Sequence, residues 1–331
     1  MTQSEPSFES LLRESLPWID ERFAKEGKPV QERPFAAAQI VVEFFVIEIE
    51  GDTKDNYITK PWFSGILEPV LKWYERRYGQ VLLKSKQAQT VGLVHYFGSP
   101  LTFRLPLVVS EPGERGTTWV RFPKEVLEHE DPLTWLDTPP PIEAMPAKRS
   151  ETLRTSVSAV ANLLRSINND LNTANLGKSA ARSLVGTVLK HFEKAALDGS
   201  SHEPLTVALG VWELQMACEK TMKAFLSQLA IAYPETHDLR ALQRLAQARG
   251  SVDAAKQFVA AMPSERRVVA WRYSELGPPT PAEFLRFYLA ALNLARSYAA
   301  AMSRKYVFNN FAVQLRSHLD SEPKRHSIQK H

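Results

Sequence analysis

The sequence predicts an α+β protein: an N-terminal mixed α/β domain followed by an all-α helical bundle. Three observations carry that division. Up to residue 136 the chain holds strand-like apolar runs set between Gly and Pro turns. After residue 150, apolar positions recur at i, i+3 and i+4, as on helix faces. Between them, residues 137–149 carry Pro139, Pro140, Pro141 and Pro146, a density that favours an extended spacer. The expected layout is a domain over 1–136, a linker over 137–149, a bundle over 150–316 and a polar, disordered tail over 317–331.

The chain opens with Leu11, Leu12, Leu16, Ile19 and Phe23 spaced as one face of a short helix, which Pro17 is expected to kink or split. The run AQIVVEFFVIEIE over 38–50 predicts the first strand. Its end alternates Ile47 and Ile49 with Glu48 and Glu50, and Gly51-Asp52 marks a turn. Pro61 introduces a helical pattern over 62–78 built on Ile66, Leu67, Val70, Trp73 and Tyr74, with Gly79 placed as a C-cap. Over 81–122 the strand rhythm returns. VGLVHYFG and LTFRLPLVV flank Ser99-Pro100, and the turn residues 111–116 precede TTWVRF.

Helical segments are expected near 151–171, 178–197, 204–232, 237–249, 252–261 and 281–315. The central one buries Leu214, Ala217, Cys218, Met222, Phe225, Leu226 and Leu229 on one face. On it Glu219 and Lys223 form an i, i+4 pair worth about 0.3–0.5 kcal/mol. Pro234 is expected to close the segment, with Thr236 as the next N-cap and Asp238 in the following first turn.

Composition narrows the function classes. A single cysteine, Cys218, excludes an intramolecular disulfide and a cysteine-cluster zinc site; on a buried face it is expected to be inert packing. No apolar run approaches the ~20 residues of a membrane helix, and the opening residues lack a basic and then apolar signal pattern, so a cytoplasmic protein is expected. Charge is uneven. Residues 1–149 hold 18 Lys+Arg against 22 Asp+Glu, and the rest hold 23 against 15, which makes the second half net +8. That excess fits a nucleic-acid surface or ordinary solvated helix faces.

The run Glu219-Lys220-Thr221-Met222-Lys223-Ala224-Phe225-Leu226, with Thr236-His237-Asp238-Leu239 and Arg272-Tyr273-Ser274-Glu275 after it, resembles the HEPN family of small helical domains. The likeness covers about residues 177–310 and leaves the first half unassigned. It implies a helical bundle that dimerises and binds RNA or a nucleotide, in bacterial defence or toxin–antitoxin regulation. The family's ribonucleases place an arginine four to six residues before a histidine, a cation and a general acid/base beside the scissile phosphate. Here only Arg325 and His331, in the polar tail, have that spacing. The minimal nucleotidyltransferases that accompany other members need Gly-Ser followed by Asp-x-Asp for magnesium. Gly98-Ser99 is present, but no such carboxylate pair follows.

The residues that remain for ligand binding are Lys220, Lys223, His237, Asp238, Arg272 and Tyr273. Lysine and arginine suit phosphate, and a helix N-terminus after Thr236 would add backbone donors. The competing reading has Thr236 cap a helix, Asp238 complement its dipole and His237 hydrogen-bond across the bundle, with Arg272 and Tyr273 tied to carboxylates such as Glu219. Glu48 and Glu50 read as solvated strand carboxylates and His95 as a core or edge histidine. No cofactor or metal is expected. The expected protein is therefore non-catalytic and binds RNA or nucleotide. The alternatives are an enzyme with its site in the N-terminal domain, and a dimeric assembly module whose N-terminal domain meets a protein partner.

Overall fold

The computed structural model describes residues 8–79, 88–114, 117–177, 180–248, 252–305 and 311–316. It is mixed α+β, and its chain divides into two compact units. One comprises residues 1–86, 112–118 and 315–331, the other 87–111 and 119–314.

Residues 8–79 of the first unit carry three α-helices: α1 (Phe8–Lys25), α2 (Arg33–Phe45) and α3 (Pro61–Tyr78). Pro17 lies inside α1 without ending it. The strand expected over 38–50 is instead the helix α2 and an irregular segment after it. Ala37, Ala38, Val41 and Val42 are buried at helical spacing, while Ile47 is 95% exposed. A continuous apolar run fits a buried strand or a buried helix equally well, and here Pro34 in the first turn and packing on α3 favour the helix. The three helices meet around Asp20. Its buried carboxylate takes Arg33 Nη1 at 3.1 Å, Arg77 Nε at 3.2 Å and the Tyr78 hydroxyl at 2.5 Å. Gly79 ends α3 at φ +76°, as expected for a C-cap.

The second unit begins with an antiparallel hairpin, β1 (Gln89–Tyr96) and β2 (Ser99–Pro106), in register from Gln89↔Pro106 to Tyr96↔Ser99. Strands β3 (Val109–Pro112), β4 (Thr117–Phe122) and β5 (Phe311–Arg316) form a second sheet in that order. The helices are α4 (Ala147–Thr173), α5 (Ala180–Val185), α6 (Val188–Gly199), α7 (Pro204–Gln228), α8 (Leu239–Gln247), α9 (Lys256–Ala261), α10 (Glu265–Arg272) and α11 (Pro281–Ala301). Val91, Leu93, Phe103 and Leu105 of the hairpin share one apolar core with α4, α7 and α11.

Two expectations about layout are corrected here. The hairpin belongs with the helices, so no boundary falls at 137–149. Asp137 instead straps that stretch down: its N–H donates to Thr102 O at 3.0 Å, and its carboxylate takes Thr102 Oγ1 at 2.8 Å and Arg104 Nε at 2.7 Å. The half after residue 150 is also not all helix, because α11 stops at Ala301 and β5 follows. The tail expected over 317–331 lies outside the described residues.

Arg165 locks the unit from within. It is fully buried on α4 and sends both terminal nitrogens to Glu130 at 2.6 and 2.7 Å. It also donates to Pro106 O at 2.9 Å and Glu125 O at 3.0 Å, so every face of the fork is used. Among the described residues no helix is long and apolar enough to cross a membrane.

Candidate functional site

Helix α7 lies at the centre of the second unit. Leu214, Ala217, Cys218, Met222, Phe225 and Leu226 are buried as its apolar spacing predicts, but Leu229 is exposed beyond its end. Pro234 does not close this helix. Ala230, at φ +54°, does so earlier, and the Ile231 N–H turns back to Leu226 O at 2.9 Å. Full burial pushes the Cys218 thiol pKa up and leaves it inert.

On another face, spacings of three, four and four align Trp212, Gln215, Glu219 and Lys223. Glu219 is almost fully buried and holds two of the predicted ligand residues. Lys223 Nζ is 2.6 Å from its Oε1, and His237 Nδ1 is 2.7 Å from its Oε2. Lys223 also lies 5.7 Å over the Tyr233 ring. Gln215 Nε2 donates to the His237 carbonyl, which anchors the loop carrying that histidine; its Oε1 is buried without a partner. The His237 ring stands edge-on to Trp212 at 5.3 Å, and the Arg272 guanidinium lies 4.1 Å over the same indole.

The six predicted residues therefore separate. Lys223, His237 and Arg272 line one strip along α7, from Tyr233 at one end to Arg272 at the other. Lys220 points elsewhere and donates to Thr187 Oγ1 at 2.8 Å. Asp238 is the N-cap of α8, two residues later than the expected Thr236, and accepts from the Arg240 N–H at 2.9 Å. Thr236 Oγ1 accepts from the Asp238 N–H at 3.0 Å. Tyr273 is 66% exposed, with Arg272 6.0 Å from its ring centroid.

Chemically the strip is an aromatic and cationic surface crossed by one neutralising carboxylate. Glu219 offsets the charge of Lys223, while Arg272 is stacked and has no hydrogen-bond or ion-pair partner among the described residues. Sequence reasoning missed Trp212 and Gln215, which lie seven and four residues before Glu219, and that helical spacing could have found them. Nearby on α10, Arg267 stacks 4.3 Å over Trp271 and reaches Glu283 at 3.3 Å, and Arg266 is exposed. Among the described residues, no cluster of three or more His, Cys, Asp or Glu is placed to hold a metal ion. No family model, no curated protein and no solved structure matches the chain.

Proposed function

We propose that the second unit is a non-catalytic module that binds RNA or a nucleotide at the Trp212–Arg272 end of the strip, as the HEPN resemblance implies. The observation that supports this reading is the stack of Arg272 on Trp212 beside the exposed Tyr273 ring. A stacked guanidinium keeps its N–H edge for a phosphate, and an exposed ring offers a base a sequence-tolerant platform. The setting is the defence or toxin–antitoxin role implied by the same resemblance.

The test is fluorescence anisotropy with labelled single-stranded RNA across a salt series, beside a gel of the same RNA. The expected result is binding that weakens steeply with salt while the RNA stays intact. Arg272→Ala and Tyr273→Ala should each weaken it roughly tenfold. No binding at low salt overturns the reading, and cleavage of the RNA overturns its non-catalytic half.

A second reading, an assembly module, draws on the first unit. Ile47 is 95% exposed, Phe44 75% and Trp18 58%, an apolar exposure that fits a protein partner or a second copy. Concentration-dependent mass by light scattering, lost in Phe44→Ser, would favour it.

A further inference from the structure

A pocket of about 260 Å³ opens beside the β1–β2 turn and the first turns of α4, lined by His95, Phe97, Arg149, Thr152, Leu153 and Ser156. Four features set it apart from an accidental dent. Phe97 sits in the two-residue hairpin loop at φ +49°, followed by Gly98 at φ +79°. A bulky residue is strained there, where Asn is the favoured choice, and such strain gathers at ligand sites. Its ring is 69% exposed and lies 4.9 Å beneath the Arg149 guanidinium.

Arg149 itself has no ion-pair partner among the described residues. The His95 ring borders the pocket with its Nε2 buried and unpaired, and burial pushes the pKa of the ring down. The two hydroxyls complete the pattern. Thr152 Oγ1 donates to Lys148 O and Ser156 Oγ donates to Thr152 O, each at 2.9 Å. Their protons are spent, so towards a ligand they can only accept.

The pocket thus offers one free cation, two hydroxyl acceptors and an apolar wall. We propose that it binds a small hydroxylated oxyanion: a phosphate or carboxylate head on a short polyol. Arg149 takes the head, Thr152 and Ser156 accept the hydroxyl protons, and the carbon skeleton lies on Phe97 and Leu153. The volume falls below the roughly 300–1,000 Å³ of drug-sized sites, so the ligand is a single sugar in scale and smaller than a nucleotide.

The test is an NMR titration of the full chain, following the His95 ring protons, with ribose 5-phosphate, gluconate, inorganic phosphate and ribose. Ribose 5-phosphate or gluconate should bind saturably, at least about tenfold tighter than inorganic phosphate or ribose. Which of the two binds decides between a phosphate and a carboxylate head. Arg149→Ala, at an exposed position, should weaken binding about tenfold. Ser156→Ala should weaken the polyol ligand and leave inorganic phosphate unchanged. Phe97→Asn suits the turn better, so it should raise the melting temperature while weakening binding, a pair of effects that misfolding cannot produce. The proposal is overturned if neither polyol anion shifts His95 up to about 10 mM, or if inorganic phosphate binds as tightly as ribose 5-phosphate.

Discussion

Glu219 stands between two cations, with Lys223 on its own helix and His237 reaching in from the next loop. A carboxylate there helps the fold and hinders any phosphate that approaches the strip. Glu219→Gln separates the two effects. Lys223 is only 14% exposed and would lose its partner, so stability should fall by about 1–2 kcal/mol by thermal unfolding. The more exposed His237 contributes little to that loss. RNA affinity should rise a few-fold in the same variant, and its salt slope should steepen by about one phosphate contact, because a lysine is released. Unchanged affinity would remove Lys223 from the binding surface.

At the scale of elements, packing decides signs that propensity gets wrong. Gly210 lies inside α7, where replacing glycine by alanine ordinarily gains about 1 kcal/mol. A Cβ at Gly210, however, would meet the Phe284 ring at 2.8 Å and the Asp198 Cβ at 3.1 Å. Both neighbours are wedged in the core, so Gly210→Ala should destabilise by about 1–3 kcal/mol in a denaturant titration. The same contrast explains what could be read from the sequence. The buried face of α7 was legible because its period of 3.6 is set by local geometry, and the β1–β2 hairpin because two apolar runs flank turn residues. The run over 38–50 was not, because an apolar stretch leaves helix and strand undecided until a neighbour packs on it. The prolines of 137–149 announced a spacer, and only the Asp137 bonds to Thr102 and Arg104 reveal a strap. Of the candidate site, the charged residues were legible by type. Their separation by Glu219, Thr187 and the α8 cap depends on which way each side chain leaves its helix.

At the scale of the whole second unit, Arg165 ties α4 to Glu130 and to the Pro106 carbonyl, 35 and 59 residues earlier in the chain. Burial alone would raise the Glu130 carboxyl, but the Arg165 fork and the Leu127 N–H outweigh it and hold the pKa below its ordinary 4.5. A folded-state pKa below the unfolded one stabilises at neutral pH, and that share is lost as pH falls through and below the usual carboxylate range. Wild type should therefore lose melting temperature more steeply than Glu130→Gln between about pH 5 and 3. Arg165→Met leaves the buried Glu130 carboxylate without its counter-charge, held only by the Leu127 N–H, and should cost about 3–5 kcal/mol at pH 7. The core that this lock encloses is finished by α11, whose Phe284, Tyr288, Leu292 and Tyr298 are fully buried against partners made much earlier in the chain. During synthesis, α4 and α7 emerge from the ribosome with their inner faces bare, because the helix that covers them, α11, follows both in the chain. The unit cannot close piece by piece as it is translated. Its nascent chain must keep those faces from sticking elsewhere until Ala301 is out.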